Sequence, residues 1–126
     1  MAADFRVVII DDDADLRRLL QVTLEFTARW SVTAAADGAE GIALARRLVP
    51  DAVVVDLMMP GMDGYEVCRQ LKADPVTAGI PVVFLTARQR VDEARVRALG
   101  AAGLLFKPFE PDELAARITE LCRTPE

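Results

Sequence analysis

Five short apolar runs, each followed by a longer amphipathic segment, constrain this chain more than any other feature. The runs are Val7 to Ile10, Val32 to Ala35, Ala52 to Val55, Val82 to Leu85 and Leu104 to Phe106. Short runs rich in Val, Ile, Leu and Phe read as strands covered on both faces. Their regular alternation with helical segments reads as a parallel sheet with helices on both sides. The second run is the exception, because Ser31 and Thr33 interrupt it, and it reads as an edge.

The segments between the runs carry helical periodicity. Leu16, Leu19, Leu20, Thr23 and Leu24 recur beside a polar face of Arg17, Arg18 and Gln21. Asp37-Gly38, then Ala39, Ile42, Ala43 and Leu48, mark a second helix, stopped by Pro50, which also disfavours a helical Val49. Gly64 to Leu71 supplies a third with Val67, Cys68 and Leu71 on one face, and Arg88 to Leu99 a fourth that ends at Gly100. The fifth opens on Pro111, sets Asp112 and Glu113 near its positive dipole end, and buries Leu114, Ile118, Leu121 and Cys122. Phe26, Trp30 and Phe109 read as packing residues, and Gly61 and Gly64 as turn geometry after the third run.

Right-handed crossovers leave few ways to wind five such repeats. A flavodoxin-like (βα)5 doubly wound parallel sheet of order 2-1-3-4-5 fits best, because it puts the polar second strand at an edge. At 126 residues the chain suits one domain, over residues 5–123, with short termini at 1–4 and 124–126. In such a sheet ligands bind beyond the carboxyl ends of the strands, where the winding reverses between strands 1 and 3. Asp11 to Asp13 and Asp56 to Met58 stand there.

Neither strand stability nor solubility asks for two acidic clusters in one crevice. Two carboxylates about 5 Å apart repel by roughly 3 kcal/mol at an effective dielectric near 20, so three of them call for a cation. With all-oxygen ligands a hard ion is favoured: Mg²⁺, with Mn²⁺ able to substitute. Thr86 closes the fourth strand with a hydroxyl, and Lys107, followed by Pro108, closes the fifth with an ammonium. A carboxylate nucleophile with a metal on one side and a Lys and a hydroxyl on the other is equipment for phosphoryl transfer. Asp56, between the acidic pair and the Lys, is the natural nucleophile.

A net charge of −5 and a pI near 4.8 disfavour direct nucleic-acid binding. No apolar run approaches membrane-spanning length and no signal-peptide core precedes Asp11, so a cytoplasmic protein without membrane attachment is expected. Cys68 and Cys122 read as buried thiols. The chain contains no histidine, so a phosphohistidine donor must belong to a partner.

Four motifs, each closing a strand, carry a resemblance that spans practically the whole chain. They are Val8-Ile9-Ile10-Asp11-Asp12-Asp13, Asp56-Leu57-Met58-Met59-Pro60-Gly61-Met62-Asp63-Gly64, Phe84-Leu85-Thr86-Ala87 and Phe106-Lys107-Pro108-Phe109. Together they resemble the receiver domains of two-component response regulators. The resemblance implies Asp56 as phosphoacceptor, Asp12 as direct Mg²⁺ ligand, Asp11 as its acidic neighbour and the Met58 backbone carbonyl as a third ligand. It implies Thr86 as the switch hydroxyl, Lys107 as the pairing cation, and often a cis Lys107-Pro108 bond. A sensor histidine kinase or histidine phosphotransfer protein is the implied donor. The face of helix 4, strand 5 and helix 5 is the implied surface for partners or a homodimer, which gives Arg95 and Arg97 a second reading beside that of a solvated helix face. The implied module is a phosphoacceptor signalling domain rather than an enzyme.

The departures are informative. Leu104 stands where the family often has a switch Tyr or Phe, and Phe106 has the opposite pleat phase to Lys107, so its nearness alone does not make it a substitute. Met58 and Arg88 occupy positions that tune dephosphorylation in the family, and an apolar Met58 predicts a long-lived phosphoryl group. A Mg²⁺-dependent Asp-nucleophile phosphatase of the haloacid dehalogenase type needs a second Asp where Met58 stands. A flavodoxin-type electron carrier needs a phosphate-binding loop where Asp11 to Asp13 repel one. A binding-only pseudo-receiver is the third alternative. The chain stops shortly after helix 5, which fits both a stand-alone receiver and a piece of a longer regulator.

Overall fold

The structure, a computed structural model, describes residues 5–87 and 91–123. Its elements run β1 (Arg6–Ile10), α1 (Ala14–Thr27), β2 (Ser31–Ala35), α2 (Gly38–Leu48), β3 (Ala52–Asp56), α3 (Gly64–Ala73), β4 (Val82–Thr86), α4 (Glu93–Ala98), β5 (Gly103–Phe106) and α5 (Pro111–Cys122). All sheet pairings are parallel and the order is β2-β1-β3-β4-β5, the expected doubly wound topology. Each of the five runs forms its strand.

Strand periodicity divides the core in two. Val8, Ile10, Val53, Val55 and Phe84 face the layer of α2, α3 and α4. Val7, Ile9, Val54, Val83 and Leu85 face α1 and α5. The three central strands are buried almost throughout, which explains their unbroken apolar sequence. The second strand borders the sheet as expected. So does the fifth, where Gly103 and Leu104 are half-buried and Phe106 is exposed, correcting its reading as a strand covered on both faces.

Helix phase departs from the sequence reading in two places. On α1 the buried positions are Leu20, Thr23 and Leu24, whereas Leu19 is 47% and Phe26 85% exposed. Each residue turns the helix by about 100°, so Leu19 rotates off the seam that Leu20 occupies and Phe26 faces away from Leu24. Phe26 is therefore not a packing residue, while Trp30 stacks near Phe5 at 4.2 Å and Phe109 packs on the same core. On α2 the buried residues are Gly38, Gly41 and Ala45, while Ala39 and Ala43 are exposed. The helix lies so close to β1 that a Cβ at Gly41 would overlap the Ile10 side chain.

The fourth helix is shorter than its periodicity suggested. It starts at Glu93, because Asp92 caps it by accepting the Arg95 N–H at 3.0 Å, and Arg88 to Arg90 lie outside the described residues. Its end is as expected: Gly100 takes φ 81° and a Schellman pair of hydrogen bonds follows, Gly100 N–H to Arg97 and Ala101 N–H to Val96. Both cysteines are free thiols, Cys68 buried and Cys122, with Leu121, only half-buried.

Two glycines follow β3 for different reasons. Gly61 has φ 78° and serves the turn, as expected. Gly64 has no positive φ; it lets α3 start against β3, where a Cβ would lie 2.7 Å from the Asp56 carbonyl oxygen and 2.8 Å from Leu57 Cα. Both obstacles are backbone and cannot swing aside. Gly64→Ala is expected to cost roughly 2–4 kcal/mol of stability, read as a lower urea midpoint. An unchanged midpoint would show that α3 can move away freely.

Candidate functional site

The site forms at the carboxyl edge of β1, β3, β4 and β5. Asp11 follows β1 and is buried to 1% exposure, held by three local contacts. Its Oδ1 accepts the Asp13 N–H at 2.9 Å, its own N–H donates to Ala35 at 3.1 Å, and its carbonyl accepts Arg17 Nη1 at 2.8 Å. Asp13 is the α1 cap, accepting from Asp15 and Leu16 N–H groups, which is the structural role expected of it. Asp12 is exposed at the rim.

Asp56 ends β3 and is 8% exposed. Its Oδ1 accepts the Met58 N–H at 3.0 Å, and Oδ2 accepts from Lys107 Nζ at 3.3 Å. One carboxylate oxygen from each of Asp11, Asp12 and Asp56 lies within 4.8 Å of the other two. Lys107 reaches the same group from β5, with Nζ also 3.9 Å from Asp11 Oδ2. Register brings these residues together across a span of 51 positions: β3 and β4 pair Asp56 with Leu85, and β4 and β5 pair Thr86 with Phe106. Thr86 is fully buried at the end of β4, and its carbonyl accepts the Lys107 N–H at 2.8 Å. The Lys107-Pro108 bond is cis, as the sequence suggested. Met58 meets the site through its N–H, while its side chain is 51% exposed.

The electrostatics show what the group lacks. Burial pushes the Asp11 carboxyl up from 3.8 to about 6, and the neighbouring charges of Asp56 and Asp12 add to the rise. The Asp13 N–H and the Lys107 ammonium act the other way and do not cancel it. Asp11 Oδ2 is the one buried side-chain polar atom among the described residues without a hydrogen bond. Lys107 is near enough to count as its ion partner and too far to bond it. A buried carboxylate oxygen with a free lone pair beside two more carboxylates fits a hard, oxygen-seeking cation.

The sequence reading named each acidic residue and the Lys. It did not find Arg17, which it placed on a polar face and which here holds the Asp11 carbonyl from inside α1. It also did not find the two N–H groups, of Asp13 and Met58, that orient the carboxylates. A helix start directly after an acidic run is the signal for the first contact, and an Asp two residues before a loop N–H is the signal for the second.

Comparisons with known proteins agree with this fold. The family model for the response regulator receiver domain matches residues 7–119. Among characterised relatives, the DNA-binding dual master transcriptional regulator RpaA of Synechocystis is 43% identical over 119 residues, covering 94% of this chain and 49% of the relative. The response regulator PleD of Caulobacter vibrioides is 43% identical over 120 residues, covering 94% of this chain and 26% of the relative. The chain thus spans about half the length of RpaA and a smaller share of PleD. Among solved structures, the Vibrio cholerae chemotaxis protein CheY4 superposes with a TM-score of 0.88 at 30% identity, over 94% of this chain and 99% of that one. A putative response regulator from Chloroflexus aurantiacus gives 0.87 at 32% identity, over 97% and 100%. With the fold, the strand-end motifs and this match in agreement, the chain belongs to the response regulator receiver domains of two-component signalling.

Proposed function

We propose that Asp56 accepts a phosphoryl group from a phosphohistidine on a sensor histidine kinase or histidine phosphotransfer protein, and that the domain answers by rearranging its α4, β5 and α5 face. The observation that carries this reading is the orphaned Asp11 oxygen beside Asp12, Asp56 and Lys107. Asp11, Asp12, Asp56 and the Met58 carbonyl would hold Mg²⁺, or Mn²⁺ in its place. Bound there, the ion supplies positive charge to the carboxylates and to the phosphoryl oxygens.

The chain's own groups do the rest. An Asp56 carboxylate oxygen forms the new bond to phosphorus as the phosphorus–nitrogen bond breaks; the bonding pair stays on that nitrogen, and the donor imidazole, already protonated on its other ring nitrogen, leaves neutral. The Met58 N–H and the Lys107 ammonium hold the Asp56 carboxylate in a fixed orientation before attack. Lys107 and the Thr86 hydroxyl stabilise the transferred oxygens. No acid or base stands at Met58, so the domain takes one group per chain and does not turn over phosphate esters. Its aspartyl phosphate is long-lived; loss of the label within seconds would contradict this.

The reading places the domain in the cytoplasm with its donor. Among the described residues no helix is long and apolar enough to cross a membrane. The acidic net charge assigns no nucleic-acid contact to this domain, whatever is joined to it. A homodimer through α4, β5 and α5 on phosphorylation completes the proposal.

The test is incubation with Mg²⁺ and acetyl phosphate, followed by intact mass. We expect a gain of one phosphoryl group with Mg²⁺ and none with a chelator. No gain in Mg²⁺ would make the domain a binding-only module.

A further inference from the structure

The fourth helix is held by unusually little. It has six residues and one buried side chain, Val96, with Val91 and Leu99 packing partly on the same core. A helix this short has no independent stability, so its position depends on its tertiary ties. One tie stands out. The Arg95 guanidinium lies over the Tyr65 ring of α3, 4.0 Å from its centroid. Tyr65 in turn meets the buried Phe84 of β4 edge-on, with centroids 5.7 Å apart.

Phe84 connects this pair to the site. It lies two residues before Thr86 on the same strand and is paired in register with Leu104, which contributes no ring. The aromatic surface between β4 and α4 therefore comes from α3, with a cation from α4 closed over it. A shift of Thr86 toward a group on Asp56 would move the end of the strand that carries Phe84. A cation–ring contact loses its attraction quickly as the two separate.

We propose that the Arg95–Tyr65 contact, seated on Phe84, latches α4 to α3 and sets how readily the domain leaves the arrangement seen here. The regulatory half rests on the phosphoacceptor reading of Asp56; the mechanical half does not. By linkage, a variant without the latch favours any ligand that prefers the opened arrangement.

Two measurements test the two halves. Amide exchange across residues 93–98 is expected to quicken about two- to fivefold in Arg95→Gln and in Tyr65→Leu, and to stay near wild type in Tyr65→Phe, which keeps the ring face. Because the two residues act as one contact, the double variant should exchange no faster than either single variant. Unchanged exchange in Arg95→Gln, or simple addition of the two effects, would overturn the latch.

The second measurement titrates beryllofluoride with Mg²⁺, a stable mimic of the aspartyl phosphate, against protein carrying 3-fluorotyrosine. The chain has one Tyr, so ¹⁹F NMR gives one reporter signal. Arg95→Gln should move that signal toward its wild-type beryllofluoride position and tighten beryllofluoride binding about two- to fivefold. Faster exchange with unchanged affinity would make the contact merely structural and overturn its regulatory role. No beryllofluoride uptake by wild type would instead overturn the phosphoacceptor reading, and the exchange data would still decide the latch.

Discussion

Asp56→Asn is expected to take up no phosphoryl group from acetyl phosphate in Mg²⁺, and Lys107→Ala to take it up about 10²–10³-fold more slowly. The amide keeps the shape of the carboxylate and an acceptor for the Met58 N–H, so the fold has no reason to change. What it lacks is a negatively charged oxygen to attack phosphorus. The Lys107 effect has another origin. Its Nζ lies 3.3 Å from Asp56 and 3.9 Å from Asp11, where charge develops during transfer, and among the described residues no other cation forms an ion pair with Asp56. A mass gain in Asp56→Asn would place the acceptor elsewhere, and wild-type rates in Lys107→Ala would remove the Lys from the chemistry.

The second large effect is on stability. In metal-free buffer the protein should become more stable as the pH falls from 7 to 5, the reverse of ordinary acid destabilisation. Asp11 binds its proton more tightly in the folded chain, at about 6, than its unperturbed 3.8. The stabilisation is complete below about pH 3.8 and fades as the pH rises through about 6. Over the window from 7 to 5 the gain is about 1 kcal/mol, or a few degrees in melting temperature. With no histidine in the chain, no ordinary side chain competes there. Asp11→Asn keeps the Oδ1 acceptor for the Asp13 N–H and removes the buried charge. It should be more stable than wild type at pH 7 by about 1–3 kcal/mol, while losing the stabilisation that Mg²⁺ gives wild type. A melting temperature that falls from pH 7 to 5, or an Asn variant less stable than wild type, would refute the electrostatic account.

These effects and the latch differ in how far they were readable. The acidic cluster and Lys107 were legible because each residue directly follows an apolar run, and a parallel sheet gathers its carboxyl ends on one edge. The opposite helix faces were less so. Small apolar residues such as Ala39 and Ala43 match a helical period as well as Gly38, Gly41 and Ala45 do. The close approach of α2 to β1 selected the second set. Exposed Leu19 and Phe26 show the same ambiguity on α1, where more apolar residues exist than one seam can hold.

The order of runs and segments in the chain was enough to determine five strands, their winding and the edge where acids, hydroxyl and ammonium would meet. That follows because strand period, crossover handedness and the place of a residue after its strand are local or topological properties. Only the tertiary structure decided the proton affinity of Asp11, the intolerance of Gly64 to a side chain and the Arg95–Tyr65 contact. Each of these is set by distances of a few ångströms between atoms of different elements, and such distances are set by packing.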